Sequence, residues 1–93
     1  MKATIRIPTP LRSYTGGNDE VLVQGTTVGE ALDALDSRYE GILERVIDTD
    51  GSVRHFVNIY LGERNVDALG GLDAPLESDA VISIVPAVAG GAP

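Results

Sequence analysis

Asp67-Ala68-Leu69-Gly70-Gly71-Leu72-Asp73-Ala74-Pro75-Leu76-Glu77-Ser78 and, directly after it, Asp79-Ala80-Val81-Ile82-Ser83-Ile84-Val85-Pro86 decide the fold. The first half cannot carry a full helix. Each interior glycine costs about 1 kcal/mol relative to alanine, and an interior proline about 3 kcal/mol. It reads as irregular chain with room for one 3₁₀ turn. The second half, Ala80–Val85, is a largely apolar strand, the pattern of a central strand covered on one face. Pro86 ends it.

Working back from there, Val53–Leu61 gives the strongest strand signal. Val53, His55, Val57, Ile59 and Leu61 alternate onto one face, and Arg54, Phe56, Asn58 and Tyr60 onto the other. Gly62-Glu63-Arg64-Asn65 turns the chain, and Val66 starts a short returning strand. Upstream, Asp48-Thr49-Asp50-Gly51 is a turn, with too few ligands for a calcium loop. Ile42–Ile47 forms another helical turn.

Thr27-Val28-Gly29-Glu30 is a capping box that predicts a helix N-terminus. Val28, Ala31, Leu32, Leu35 and Tyr39 then share one face of a helix running to Arg38–Glu40, with Gly41 as its C′ residue. At the start of the chain, Lys2–Ile7 alternates, with Ala3, Ile5 and Ile7 on the buried side. Pro8 and Pro10 end it, and a loop crosses Leu11–Asn18. Val21–Val23 forms a second strand closed by Gly25, and the two strands suggest an antiparallel hairpin.

The order is therefore strand, strand, helix, strand, short strand, strand. It implies an α+β domain, a mixed sheet packed on one main helix. A ferredoxin-like plait needs a second full helix late in the chain, where Asp67–Ser78 stands. That leaves the β-grasp, or ubiquitin-like, arrangement over residues 1–86, followed by a flexible tail over residues 87–93.

Composition narrows the function. The 93 residues hold no cysteine, one histidine (His55), and 14 acidic against 7 basic side chains, for a net charge of −7. The length fits one domain with one modest core. Hydrophobic residues make up 43% and charged residues 23%, an ordinary globular balance. Without cysteine there is no disulfide framework, thiolate metal site or cysteine nucleophile. With one histidine, a His/Cys metal cluster is excluded, so no metal site and no catalytic residue are expected. The acidic balance opposes binding to nucleic acid. No apolar run reaches the length of a membrane span. MKATIRIPTP lacks the apolar stretch of a signal peptide, so the expected home is the cytoplasm. A small acidic domain of this kind reads as something acted upon.

Three Gly-Gly pairs occur. Gly16-Gly17 and Gly70-Gly71 lie between elements and read as turns. Gly90-Gly91 follows the last strand in the uncharged segment Ala87-Val88-Ala89-Gly90-Gly91-Ala92-Pro93. One reading is a frayed end. The other is chemical. A glycine pair has no Cβ, so it can enter a narrow channel and offer a backbone carboxyl to an activating centre.

Several stretches carry a family resemblance: Ile7-Pro8-Thr9 with Thr15-Gly16-Gly17, Arg54-His55-Phe56-Val57-Asn58-Ile59-Tyr60, Gly70-Gly71-Leu72, and above all Val85-Pro86-Ala87-Val88-Ala89-Gly90-Gly91. Over nearly its whole length the chain resembles the ThiS/MoaD-type ubiquitin-like sulfur carriers, nearest to the branch that serves cysteine biosynthesis. The resemblance implies a protein that is no enzyme but the substrate of partners. An E1-like adenylyltransferase/sulfurtransferase would adenylate the Gly91 carboxylate with ATP, and a sulfur donor would displace AMP to leave a thiocarboxylate. A PLP-dependent cysteine synthase would receive that sulfur, and a zinc-dependent JAMM-type metallopeptidase would release the product. ATP, PLP and zinc all belong to the partners, and this chain binds no cofactor itself.

The family usually ends at the second glycine, whereas here Ala92 and Pro93 follow. The expectation is a precursor cut between Gly91 and Ala92, with Gly90, Ala89 and Val88 as the slim tail. An inert extension is the alternative. Phe56 and Tyr60, with Arg54 beside them, are the candidate docking residues, because exposed aromatics favour docking. A second small cluster under a loop would explain the aromatics equally well. His55 reads as structural, and Asp19-Glu20, Asp33, Asp36 and Glu63 as solvated charge. Carriers for thiamine, molybdopterin, tRNA thiolation or a natural product remain open, as does a non-covalent interaction module.

Overall fold

The computed structural model of the protein describes residues 1–86. Its strands are β1 (Lys2–Arg6), β2 (Glu20–Gln24), β3 (Val57–Leu61), β4 (Arg64–Asn65) and β5 (Ala80–Pro86), with one α-helix, α1 (Val28–Arg38). They form one sheet in the order β2-β1-β5-β3-β4. β1 pairs antiparallel with β2 and parallel with β5, and β3 pairs antiparallel with both β5 and β4. The expected mixed sheet with its apolar last strand at the centre is thus present.

Alternation explains the two faces. Ala3 and Ile5 of β1, Val21 and Val23 of β2, Ile59 of β3, and Ile82 and Ile84 of β5 are buried against Val28, Ala31, Leu32 and Leu35 of α1. Ile42, Val46, Val66, Ala74 and Leu76 close the ends of this core. The opposite sheet face carries Arg6, Leu22, Tyr60, Val81 and Val85, none of them buried.

The start of α1 follows the capping logic with one shift. The Thr27 hydroxyl accepts from the Glu30 amide at 3.1 Å. The Glu30 carboxylate, expected on the Thr27 amide, instead accepts from the amide and the hydroxyl of Thr26, each at 2.8 Å. Thr26 supplies two donors where Thr27 would supply one. These bonds hold the Glu30 carboxyl below its ordinary pKa. At the other end, α1 stops at Arg38. Gly41, expected as C′, lies further out at φ +97°. Asp36 accounts for the gap. Its Oδ1 accepts from the amides of Gly41 at 3.1 Å and Leu43 at 3.0 Å, so it organises the exit of the helix rather than standing as free charge.

Three segments differ from the sequence reading. The loop after β1 is a 3₁₀ helix over Thr9–Thr15, and the stretch after β4 holds two short 3₁₀ helices, Val66–Leu69 and Gly71–Asp73, where a returning strand and one turn were expected. The strand expected over Val53–Leu61 begins only at Val57. Val53 forms a lone bridge to Ile47. Between them Arg54–Val57 is a turn closed by the Val57 amide donating to the Arg54 carbonyl at 3.0 Å.

Candidate functional site

The tail calls, Val88, Ala89, Gly90, Gly91 and Ala92, lie outside the described residues. What the structure does describe is the root from which they continue. β5 is the middle strand of five, and its last residue, Pro86, is paired with Val57 at the start of β3. The chain therefore leaves the central strand beside the Arg54–Val57 turn.

The three docking candidates occupy different settings there. Phe56 sits on the turn, 60% exposed. It is not on the strand face proposed from alternation, because the turn interrupts the strand. Tyr60 is on β3, in register with Ser83 of β5 and Asn65 of β4, on the open face opposite the buried Ile59. It is half-buried. Arg54 is engaged within the molecule. Its Nε donates to the Glu44 carbonyl at 2.8 Å, and Nη1 lies 3.8 Å from Asp48. Its amide also donates to the Val46 carbonyl at 2.9 Å. These contacts tie the turn to the Glu44–Asp48 segment. His55, on the same turn, is exposed.

A feature that the sequence reading did not single out faces the root from the other side. Arg6, Ile7, Pro8, Arg12 and Asp19 line a shallow groove with Ser83, Ile84 and Val85 of β5. Val85 is 41% exposed. Arg12 is fixed there by its Nε, which donates to the Ile7 carbonyl at 3.0 Å. The alternation of Val81, Ser83 and Val85 against Ile82 and Ile84 carried the signal for Val85. The arginines carried none, because their convergence depends on the 3₁₀ helix over Thr9–Thr15. The root thus emerges between an arginine-lined groove and a turn that presents one aromatic ring.

Charged groups nearby serve structure. Asp50 accepts from the Ser52 hydroxyl and amide at 2.6 and 3.0 Å, which lowers its carboxyl pKa. Arg45 donates to the Tyr14 hydroxyl at 2.7 Å, and that bond raises its pKa. Among the described residues, no group of three or more His, Cys, Asp or Glu side chains converges as a metal site. No described helix is long and apolar enough to cross a membrane.

Comparison with known proteins places this geometry in a family. The sulfur carrier protein CysO of Mycobacterium tuberculosis strain H37Rv is 41% identical over 93 residues, covering 98% of this chain and 100% of the relative. The solved Amycolatopsis orientalis BexX/CysO complex contains a chain 39% identical, with a TM-score of 0.89, covering 96% of this chain and 99% of that one. Small archaeal modifier protein 1 of Methanosarcina acetivorans, at 24% identity, shares the fold, with a TM-score of 0.81 over 97% of this chain and 96% of its own. The β-grasp arrangement is therefore the one seen in these ubiquitin-like proteins. The ThiS family signature matches residues 5–91, from the buried side of β1 to the second glycine of the tail, and the chain belongs to the ThiS family.

Proposed function

We propose that this protein is a sulfur carrier whose working group is the carboxylate of Gly91, exposed once Ala92 and Pro93 have been removed. The observation that carries the proposal is the extent of the family match. It runs through β5 and stops at Gly91, the second glycine of the pair. The similarity to CysO carriers supports cysteine biosynthesis as the destination of the sulfur.

The chemistry assigns simple work to this chain. A carboxylate resists acyl transfer, so a partner adenylyltransferase joins it to AMP from ATP, with pyrophosphate leaving. Sulfide then attacks the acyl carbon and AMP departs, leaving a thiocarboxylate on Gly91. A thioacid is anionic at neutral pH and nucleophilic without help from a histidine or cysteine. Gly90 and Gly91 offer no Cβ to hinder either attack. The thiocarboxylate sulfur would bond to an acceptor held by a PLP-dependent synthase while the product stays joined to the Gly91 carbonyl, and a zinc-dependent peptidase would then add water to that carbonyl, freeing the product and restoring the carboxylate. Proline at the end would place a ring with fixed φ where a slim residue is needed. The same type of metallopeptidase is the proposed agent that cuts Gly91–Ala92. The BexX/CysO complex supports the view that carriers of this type work bound to a separate protein. Phe56 and Tyr60 are the proposed docking residues, and Arg54 supports them by fixing the turn.

The test is direct. A chain ending at Gly91 is incubated with its activating enzyme, ATP and sulfide, and its intact mass is measured. The expected result is a gain equal to one oxygen-to-sulfur exchange, absent for the chain ending at Pro93. No gain in the shorter chain refutes the carrier reading.

A further inference from the structure

The outer side of β2 has no strand beside it among the described residues, since β2 stands at the end of the order β2-β1-β5-β3-β4. The ladder to β1 identifies which backbone groups face outward. The Ile7 amide donates to the Asp19 carbonyl at 2.8 Å, and the Gly25 amide to the Met1 carbonyl at 3.0 Å. In an antiparallel ladder, bonded positions alternate, so Val21 and Val23 also bond inward. The amides and carbonyls of Glu20, Leu22 and Gln24 therefore point away from the sheet. One contact agrees with this assignment. Arg38 of α1 donates through Nη1 to the Leu22 carbonyl at 2.6 Å, covering an outward acceptor with a charged side chain.

We infer that this edge pairs with the same edge of a second copy, antiparallel and centred on Leu22. The sequence of the edge is complementary to itself in that direction. Leu22 meets Leu22 of the second copy, and each Glu20 meets a Gln24, so each carboxylate faces a side-chain amide. A parallel pairing would set Glu20 against Glu20, and like charges directly opposite are unfavourable.

The open face extends the match. Arg6 lies opposite Glu20 in the sheet, with 3.9 Å between Nε and the carboxylate, and Lys2 lies opposite Gln24. Across the junction the outer rows then read Arg6, Glu20, Gln24, Lys2, with no like charges adjacent. The middle row reads Val81, Thr4, Leu22 and their mirror images. Leu22 is 59% exposed and Val81 38% exposed, so the junction would cover the most open part of an apolar stripe. An exposed edge strand of this kind is a template for pairing. Arg38 opposes it, because each copy gives up one charged hydrogen bond on association. The product is a reversible dimer with one continuous ten-stranded sheet. β5 is two strands in from the junction, so both tail roots and both Phe56 turns stay clear.

Sedimentation equilibrium of the full chain from about 10 μM to about 1 mM tests this. A reversible monomer–dimer equilibrium is expected. Gln24→Lys places a cation opposite Glu20 of the second copy and tightens the dimer. Gln24→Glu loosens it. Each shift is about 2- to 30-fold, because symmetry counts each cross-strand pair twice. Leu22→Pro removes an outward amide without touching the ladder to β1, and a proline there is tolerated on the free side of an edge strand. It abolishes the dimer. Should Leu22→Pro unfold, the two Gln24 variants, exposed and outside the core, carry the test. A monomer at every concentration overturns the inference. So does a dimer that the Gln24 variants leave unchanged, or pairing of this edge with a different extended peptide while the chain itself stays monomeric.

Discussion

Phe56 provides the most demanding test of docking at the tail root. Its side chain is 60% exposed on the Arg54–Val57 turn, next to the strand pair that ends at Pro86. A phenylalanine carries about 200 Å² of surface, so a partner can cover about 120 Å² of it, worth about 3 kcal/mol at ~25 cal/mol per Å². Truncation to alanine should therefore weaken productive docking about 100-fold. The covered remainder is about 80 Å², an upper bound of about 2 kcal/mol on lost stability, well within the total of a small domain. The assay is pyrophosphate exchange by the activating enzyme, with a chain ending at Gly91 as substrate, run well below the melting temperature. Phe56→Ala should raise KM about 100-fold and leave kcat nearly unchanged, because the ring acts before chemistry and is spent equally in ground and transition states. Phe56→Leu should recover most of the loss. A KM within about twofold of the parent would refute the docking role. The ring would then be an exposed apolar residue of no consequence, of which proteins have many.

Further outcomes follow from the same geometry. Gly91→Val, in a chain ending at that residue, should abolish thiocarboxylate formation by intact mass while leaving circular dichroism and melting unchanged. Glu30 has its carboxyl pKa lowered by the Thr26 amide and hydroxyl. Its stabilising contribution is therefore present at neutral pH and is lost as the pH falls through the ordinary glutamate range and below. Melting temperature against pH should show a shallower acid-side decline in Glu30→Gln than in the parent. Gly25→Ala should destabilise by about 1–3 kcal/mol in denaturant titration, because a Cβ there would lie 2.9 Å from the Ala31 amide nitrogen and must push the first turn of α1 outward.

Much of the fold was legible because it depends on local chemistry. The alternation of Ala3 and Ile5, the Thr27–Glu30 cap and the apolar run of β5 each fix an element without reference to the rest. Their combination excluded a late helix and left the β-grasp. What escaped depends on contacts between residues far apart in sequence. No periodicity reveals that the Arg54 amide donates to the Val46 carbonyl or that its carbonyl accepts from the Val57 amide, so that its backbone is engaged in a turn where the sequence reads as strand. The Asp36 carboxylate looked like surface charge because its two amide partners, Gly41 and Leu43, lie beyond the helix it belongs to.

The same distinction governs the candidate site. Its proposed reactive end, Gly90-Gly91, is legible as sequence because the proposed chemistry needs only the absence of side chains, and an absence requires no tertiary contact to express it. Its docking end does require tertiary structure. Phe56 and Tyr60 read as neighbours on one strand face, yet the turn at Arg54–Val57 separates them and moves Phe56 onto the rim where β5 ends. That displacement strengthens the case for Phe56. On a strand face the ring would be one of several side chains over a sheet. On the rim it stands beside the point from which the tail departs. On the proposed function, a partner that engages the chain from Pro86 onward would meet the ring as well, so docking and delivery of the carboxylate would share one approach.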